Sequence, residues 1–234
     1  MSKKLILAST STIHGSDYLA YLLPTLKAHF QAIKEVLFIP YARPGGISYN
    51  EYTNTAKKAF NTIDIKVKGI HEFQNQKEAI TKAEGIFTGG GNTFELVNQL
   101  YKNDLMPILR EALYNGTPYL GTSAGSNICG LTMQTSNDMP IVYPPSFKTL
   151  GGIPFNINPH YKDPKKGDTH MGETRETRIK EFHVYNNIPV VGLREGSWLE
   201  VYGNTTTLRG ELDARIFEKE KTPYEIKSDT IISF

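Results

Sequence analysis

Cysteine is nearly absent from this sequence of 234 residues, and Cys129 is the single exception. One cysteine cannot form a disulfide within its own chain, and such sparing use of cysteine is typical of a reducing compartment. Strong charge of either sign is also missing, because the formal net charge is only +2 and no long basic run occurs. A nucleic-acid partner is therefore not expected, since nucleic acids are bound by concentrated positive charge.

Long hydrophobic runs are missing as well. The first apolar run, residues 5–8, follows two lysines but gives way at once to Ser9-Thr10-Ser11-Thr12. It is too short for the core of a secretion signal or for a membrane span. We therefore expect a cytoplasmic globular protein with no membrane partner, and the sequence leaves its oligomeric state open.

Metal-binding patterns make a third absence. The sequence contains neither His-Glu-x-x-His nor Cys-x-x-Cys, the spacings that place several metal ligands together. We therefore expect no metal site and no cofactor.

Short apolar segments alternate with segments of helical periodicity through the first half of the chain. The predicted strands are residues 5–8, 36–39, 65–67, 85–88 and a strand at Tyr119. The predicted helices are residues 18–33, 49–63, 77–83, 94–100 and 106–113. This alternation indicates a three-layer α/β fold, in which a mostly parallel sheet carries helices on both faces.

The second half of the chain is less regular. We predict strands at residues 157–160 and 190–193, and a helix at 173–184. Residues 198–202, 205–208 and 215–218 suggest terminal β-hairpins. Because no repeat and no linker is evident, residues 1–234 are expected to form a single domain.

The most informative stretch is Gly121-Thr122-Ser123-Ala124-Gly125, between an apolar, β-prone run and helix-compatible sequence. This is the pattern of a nucleophile elbow, a sharp strand-to-helix turn that exposes a serine hydroxyl. The N–H of the following residue, here Ala124, then points to where an oxyanion would form. An ordinary tight turn with a capping serine has the same short pattern, so both interpretations stay open.

Three glycines, Gly89, Gly90 and Gly91, lie between a predicted strand and a predicted helix. Backbone N–H groups in such a turn can receive negative charge. The stretch lacks the Gly-Lys-Ser/Thr ending of a P-loop and the full Gly-x-Gly-x-x-Gly pattern. We therefore prefer an oxyanion donor facing Ser123 over a phosphate cradle, with a plain turn as the alternative.

His160 is the histidine whose setting best suits a general base, because it ends a predicted strand and precedes a loop. A serine hydroxyl needs such a base, and the base needs a carboxylate to orient it. Two candidate carboxylates are Glu195, just past the strand 190–193, and Asp138. A structural histidine, a turn aspartate and a solvated loop glutamate are the simpler interpretations. Spacing alone does not choose between Glu195 and Asp138.

Arg175 and Arg178 lie near the start of the predicted helix 173–184, where the helix dipole disfavours cations. An arginine there suits bidentate binding of a substrate carboxylate. An exposed salt bridge with a neighbouring glutamate explains it equally well.

Several stretches together resemble peptidase E, the α-aspartyl dipeptidase family of serine peptidases. They are Gly-Gly-Gly-Asn-Thr-Phe at 89–94, Ser-Ala-Gly at 123–125, Asn-Asp-Met-Pro-Ile-Val at 137–142, Ile-Asn-Pro-His at 157–160, Gly-Glu-Thr-Arg-Glu at 172–176 and Gly-Leu-Arg-Glu-Gly-Ser-Trp at 192–198. These stretches follow the family's order over most of the chain, so a chance match to all of them is improbable.

The resemblance implies a cytoplasmic, metal-independent hydrolase of dipeptides with an N-terminal aspartate, on a fold related to class I glutamine amidotransferases. It implies Ser123 as the nucleophile, His160 as the base and Arg175 as the partner of the aspartyl carboxylate. For the third member it points to Glu195, although the position of Asp138 has also been considered in this family.

Two rival functions remain at this stage. A related serine hydrolase of this fold would act on β-aspartyl peptides, and a binding protein would keep the pocket without turnover. An amidotransferase role is disfavoured, because that chemistry uses a cysteine nucleophile and Cys129 lies outside the turn.

Overall fold

The computed structural model describes residues 2–164 and 172–234, whose strands form two sheets. The strands are β1 (Lys4–Ala8), β2 (Glu35–Ile39), β3 (Lys66–Gly69), β4 (Gly85–Thr88), β5 (Tyr119–Thr122), β6 (Asn156–Pro159), β7 (Val190–Leu193), β8 (Trp198–Tyr202), β9 (Thr205–Arg209), β10 (Ala214–Phe217) and β11 (Tyr224–Ile226). The larger sheet has seven strands in the spatial order β3-β2-β4-β5-β1-β8-β9.

Five strands of this larger sheet, from β3 to β1, run parallel to one another. The two remaining strands, β8 and β9, form a hairpin whose first strand pairs antiparallel with β1. The expected α/β fold with a mostly parallel sheet is therefore confirmed. In a parallel sheet the carboxyl ends of the strands share one edge, where open α/β proteins bind their ligands.

Helices connect the strands. They are α1 (Leu23–His29), α2 (Tyr49–Asn61), α3 (Gln76–Thr81), α4 (Thr93–Lys102), α5 (Met106–Tyr114), α6 (Ala124–Asn127) and α7 (Arg175–Tyr185). Within the described part of the chain, none of them is both long and apolar enough to cross a membrane.

The alternating side chains of β1 enter two separate cores. Leu5 and Leu7 pack in one core with buried residues of α3, α4 and α5. Ile6 and Ala8 pack in the other core, which contains buried residues of α1 and α2. Because successive side chains of a strand point to opposite faces, the two cores lie on opposite faces of the sheet. The arrangement is the three-layer one that the sequence predicts.

The first predicted helix, residues 18–33, is too long, since only Leu23–His29 is an α-helix. Leu19 has a φ of 60°, which a continuous right-handed helix does not permit. Pro24 lies in the first turn of α1, where its missing N–H costs no helical hydrogen bond. The apolar spacing before this point belongs to a turn whose side chains are buried in the same core.

The smaller sheet was not foreseen, and its strand order is β11-β10-β7-β6. Strands β6 and β7 are parallel, whereas β10 is antiparallel to both β7 and β11. The predicted strand 215–218 thus belongs to this second sheet, while β8 and β9 extend the first one. Local alternation identifies a strand, but the partner is decided by residues far away in the chain.

Candidate active site

Ser123 lies in a strained turn between β5 and α6. Its φ and ψ are 52° and −108°, a conformation that non-glycine residues rarely adopt. The turn is held because the N–H of Ser123 donates to the carbonyl of Ala8 at 3.0 Å. It also needs small neighbours, since a methyl group on Gly125 would collide with the carbonyl oxygen of Thr88. The local geometry is that of an elbow that presents the hydroxyl.

His160 lies beside this hydroxyl, directly after β6. Its Nε2 is 2.9 Å from the Oγ of Ser123, and its Nδ1 is 2.7 Å from Oε1 of Glu195. An ionised carboxylate can only accept a hydrogen bond, so Nδ1 carries the proton and Nε2 is free to accept one from Ser123. The three side chains therefore form one hydrogen-bonded chain. The His160 side chain is 33% exposed, so this hydrogen-bonded triad is open to solvent.

Ser9, which the sequence analysis did not single out, holds the histidine in place. Its Oγ accepts the N–H of His160 at 2.8 Å and donates to the carbonyl of Leu193 at 2.7 Å. Its own N–H donates to the carbonyl of Ser197 at 3.0 Å. One fully buried hydroxyl thus links the ends of β1, β6 and β7. The available signal was its position immediately after a buried central strand.

Asp138 lies elsewhere, at the start of α4. Its Oδ2 accepts the N–H of Thr93 at 2.7 Å, the hydroxyl of Thr93 at 2.6 Å and the hydroxyl of Ser136 at 2.9 Å. A carboxylate at a helix N-terminus is favourable because of the helix dipole. Of the two carboxylates that the sequence left open, Glu195 contacts His160 in this structure, and Asp138 instead accepts hydrogen bonds at the start of α4, just after Gly91.

The glycine loop, residues 89–91, packs directly against Ser123. A methyl group on Gly90 would lie 2.9 Å from the Cβ of Ser123, and one on Gly91 would collide with the carbonyl of Ala42. The N–H of Gly89 donates to the carbonyl of Ile39 at 3.1 Å. The N–H groups of Gly90, Gly91 and Ala124 have no acceptor in residues 2–164 and 172–234. Oxyanion holes are built from backbone N–H groups of this kind beside a nucleophilic hydroxyl.

Arg175 is the first residue of α7 and is partly buried. Burial lowers its pKa, the nearby charge of Arg178 lowers it further, and Asp138 opposes the change. Arg175 has no ion-pair partner among the described residues, whereas Arg178 is 3.6 Å from Glu173. A partly buried guanidinium that has no ion-pair partner in residues 2–164 and 172–234 is suited to an anionic ligand.

Cys129 is fully buried, and burial raises the pKa of its thiol to about 12. A thiol is nucleophilic only when ionised, so this one is inert at neutral pH. The described residues also contain no group of three His, Cys, Asp or Glu side chains arranged to hold a metal ion.

A serine in an elbow, hydrogen-bonded to a histidine that is hydrogen-bonded in turn to a carboxylate, is the arrangement of serine hydrolases. The family model described as Peptidase family S51 matches residues 5–209. The chain therefore belongs to peptidase family S51.

Relatives within the family are similar over nearly the whole chain. Peptidase E of Streptomyces coelicolor is 46% identical over 222 residues, covering 95% of this chain and 90% of the relative. The probable alpha-aspartyl dipeptidase of Drosophila melanogaster is 42% identical over 222 residues, covering 94% of this chain and 91% of the relative.

The fold is also found in solved structures. A peptidase from an acI-B1 Actinobacterium superimposes with a TM-score of 0.75 at 17% identity, over 100% of this chain and 98% of the other. A putative peptidase E protein from Listeria monocytogenes gives a TM-score of 0.67 at 20% identity, over 90% and 99%.

Proposed function

We propose that this protein is a serine dipeptidase that hydrolyses Asp-Xaa dipeptides through an acyl-enzyme. The observation that carries the proposal is the hydrogen-bonded chain of Ser123, His160 and Glu195. The names of the relatives, peptidase E and probable alpha-aspartyl dipeptidase, support the substrate class.

In the first step, Ser123 attacks the α-carbonyl carbon of the aspartyl residue. Nε2 of His160 accepts the hydroxyl proton as the new C–O bond forms, and the carbonyl oxygen takes the electron pair. Glu195 stabilises the resulting imidazolium, because its carboxylate accepts the hydrogen bond that Nδ1–H donates. The oxyanion is held by the N–H of Ala124 and by an N–H of the glycine loop.

The tetrahedral intermediate then collapses. His160 gives the proton to the nitrogen of the second residue, the C–N bond breaks, and an aspartyl ester remains on Ser123. Water, deprotonated by His160, attacks this ester, and the C–O bond to Ser123 breaks as His160 returns the proton to the Oγ of Ser123, which releases aspartate. The same imidazole nitrogen, Nε2, thus acts first as a base and then as an acid, while Nδ1 stays hydrogen-bonded to Glu195.

Arg175 is proposed as the partner of the substrate's β-carboxylate. Three features support this role: partial burial, absence of an ion-pair partner in the described residues, and the nearby charge of Asp138, whose carboxylate accepts the N–H of Thr93 just after the glycine loop. A charged partner already partly desolvated loses less hydration when it binds a carboxylate.

We also propose that residues 1–234 act as one domain in the cytoplasm. The proposed nucleophile follows a strand of the larger sheet, whereas His160 and Glu195 follow strands of the smaller sheet. The free, buried Cys129 is consistent with a reducing compartment.

Purified protein assayed on α- and β-aspartyl dipeptides tests the proposal. Ser123→Ala should reduce kcat on Asp-Xaa by about 10⁴-fold or more, because the covalent route is lost. The circular dichroism spectrum should stay unchanged. Near-normal activity of this variant would show that Ser123 is not the nucleophile. Preferential cleavage of β-aspartyl bonds by the wild-type protein would show that β-aspartyl peptides are its substrates.

The same assay tests the arginine. Arg175→Ala should lower kcat/KM for Asp-Xaa by about 100-fold, the loss expected when a carboxylate loses a charged hydrogen-bond partner. Arg178→Ala is the matched control, since Arg178 lies on the same helix and is exposed. Retention of selectivity for aspartate in Arg175→Ala would show that another residue recognises the carboxylate.

A further inference from the structure

The carbonyl oxygen of Gly90 accepts two side-chain hydrogen bonds from outside the glycine loop. Tyr52 donates its hydroxyl at 3.1 Å, and Arg43 donates its Nε–H at 3.2 Å. The two donors are also packed together, because the Arg43 guanidinium lies 5.2 Å from the centre of the Tyr52 ring. Both lone pairs of this carbonyl are therefore used.

Fixing one side of a peptide group fixes the other. In a trans peptide the C=O of Gly90 and the N–H of Gly91 point in opposite directions. With the carbonyl turned toward Arg43 and Tyr52, the Gly91 N–H is turned away from them. That N–H has no acceptor in the described part of the chain. Gly90, which shares this peptide, is the loop residue that packs on Ser123.

The peptide needs such a restraint because both of its residues are glycines. Glycine has no Cβ, so rotation of this peptide meets little steric resistance, and Gly91 already has a φ of +140°. A rotated peptide would turn the Gly90 carbonyl oxygen toward the oxyanion in place of an N–H. The resulting repulsion would raise the barrier that the hole is meant to lower.

We propose that Arg43 and Tyr52 are positioning residues of the oxyanion hole, which hold the Gly90–Gly91 peptide so that the Gly91 N–H faces the reacting carbonyl. The inference rests on the proposed acyl-transfer function and specifies which glycine supplies the second donor. The hydrogen bond from a cationic guanidinium also polarises the peptide, which makes the Gly91 N–H a stronger donor.

The residues themselves permit clean substitutions. Tyr52 is buried, at 2% exposure, and its ring packs edge-on against Phe38, so Tyr52→Phe removes the hydroxyl and keeps the ring. Arg43 is exposed, so Arg43→Met removes the donor without opening the core. Tyr101→Phe and Arg110→Met are matched controls, because Tyr101 and Arg110 also donate to backbone carbonyls, at residues 148–150.

Steady-state kinetics on an Asp-Xaa dipeptide provide the first readout. Each of the variants Tyr52→Phe and Arg43→Met should lower kcat by about tenfold and the double variant by about 100-fold, approaching the loss of one oxyanion donor. KM should change less than about twofold, because the hole acts on the transition state. The controls should keep wild-type kcat. Unchanged kcat in the double variant, or a loss confined to KM, would overturn the inference.

A fluorophosphonate probe provides a readout that does not depend on aspartyl recognition. Its phosphoryl oxygen occupies the same hole, so the labelling rate at Ser123 should fall in the variants by a factor similar to kcat. If the wild type labels at Ser123 but does not cleave Asp-Xaa, the proposed substrate is wrong and the labelling rates still test the loop. Equal labelling rates in wild type and double variant would show that Arg43 and Tyr52 do not position the hole.

Discussion

Two non-glycine residues of the candidate site have a positive φ. Ser123 and His160 both have a φ of 52°. Such a conformation costs about 1–3 kcal/mol and persists only where surrounding contacts determine it. Here those contacts are the hydrogen bond from Ser123 N–H to Ala8 and the one from His160 N–H to Ser9. The strain thus lies in the two residues whose side chains must meet.

At the residue scale, the first prediction separates the two carboxylates. Glu195→Gln should lower kcat by about 10²–10⁴-fold with little change in KM, because an amide can donate to Nδ1 and favour the wrong imidazole tautomer. Asp138→Asn should lower kcat by less than about tenfold. Its main effect should be a loss of about 1 kcal/mol in the free energy of unfolding, since it weakens the hydrogen bonds to Thr93 and Ser136.

Kinetic constants and urea unfolding of both variants check this prediction. Loss of stability without loss of activity is expected only for Asp138→Asn. The reverse ranking, with Asp138→Asn nearly inactive and Glu195→Gln nearly normal, would make Asp138 the functional carboxylate.

At the element scale, the junction of β4, β5 and α6 depends on close backbone approach. Gly125→Ala should destabilise the protein by about 3 kcal/mol, because the added methyl group would meet the carbonyl oxygen of Thr88 and force the elements apart. Activity should fall as well, since α6 begins directly after Ser123. Thermal and urea unfolding measure the loss of stability.

Gly45→Ala is the matched control for Gly125→Ala. A methyl group on Gly45 would meet nothing within 4 Å, so the free energy of unfolding of the Gly45→Ala variant should differ from that of the wild type by less than about 0.5 kcal/mol. If Gly125→Ala proved as stable as Gly45→Ala, the close packing of the elbow on β4 would not be a requirement of the fold.

At the scale of the whole molecule, Arg194 joins segments that are far apart in the chain. Its guanidinium donates to the carboxylate of Asp163 at 2.8 Å, to that of Glu225 at 2.9 Å and to the carbonyl of Asp213. Its side chain is only 16% exposed, which limits the screening by water. Arg194→Met should therefore lower the free energy of unfolding by about 2 kcal/mol at pH 7.

The pH dependence of this loss has a defined sign. The hydrogen bonds from Arg194 are the largest cause of the lowered pKa values of Asp163 and Glu225, whose ordinary values are 3.8 and 4.5. Groups with a lowered folded-state pKa stabilise the protein above the unfolded value and lose that effect as the pH falls. The stability gap between wild type and Arg194→Met should therefore narrow on acidification.

Urea unfolding at pH 7 and at the lowest pH where both proteins stay folded measures this gap. Arg209→Met serves as the control, because Arg209 is 38% exposed and its pairs with Glu200 and Asp229 lie at the surface. Its cost should stay below about 1 kcal/mol. A gap for Arg194→Met that is independent of pH would contradict the assigned role of the carboxylates.

Most strands, the mostly parallel α/β fold and the candidate turn at Ser123 could be predicted from the sequence alone. Each of these features follows from a local pattern of apolar spacing and small residues, which can be recognised without knowing which segments pair. The separate sheet of β6, β7, β10 and β11 was beyond such reasoning, because its pairing depends on distant segments.

The folded structure alone shows which side chains meet at the carboxyl ends of the strands. It places Glu195 against His160, 35 residues away in sequence, and Asp138 against Thr93. It also placed Ser9 behind the histidine and turned Arg43 and Tyr52 onto Gly90. These contacts depend on strand order, because neighbours in a parallel sheet are set by crossover connections and not by distance along the chain.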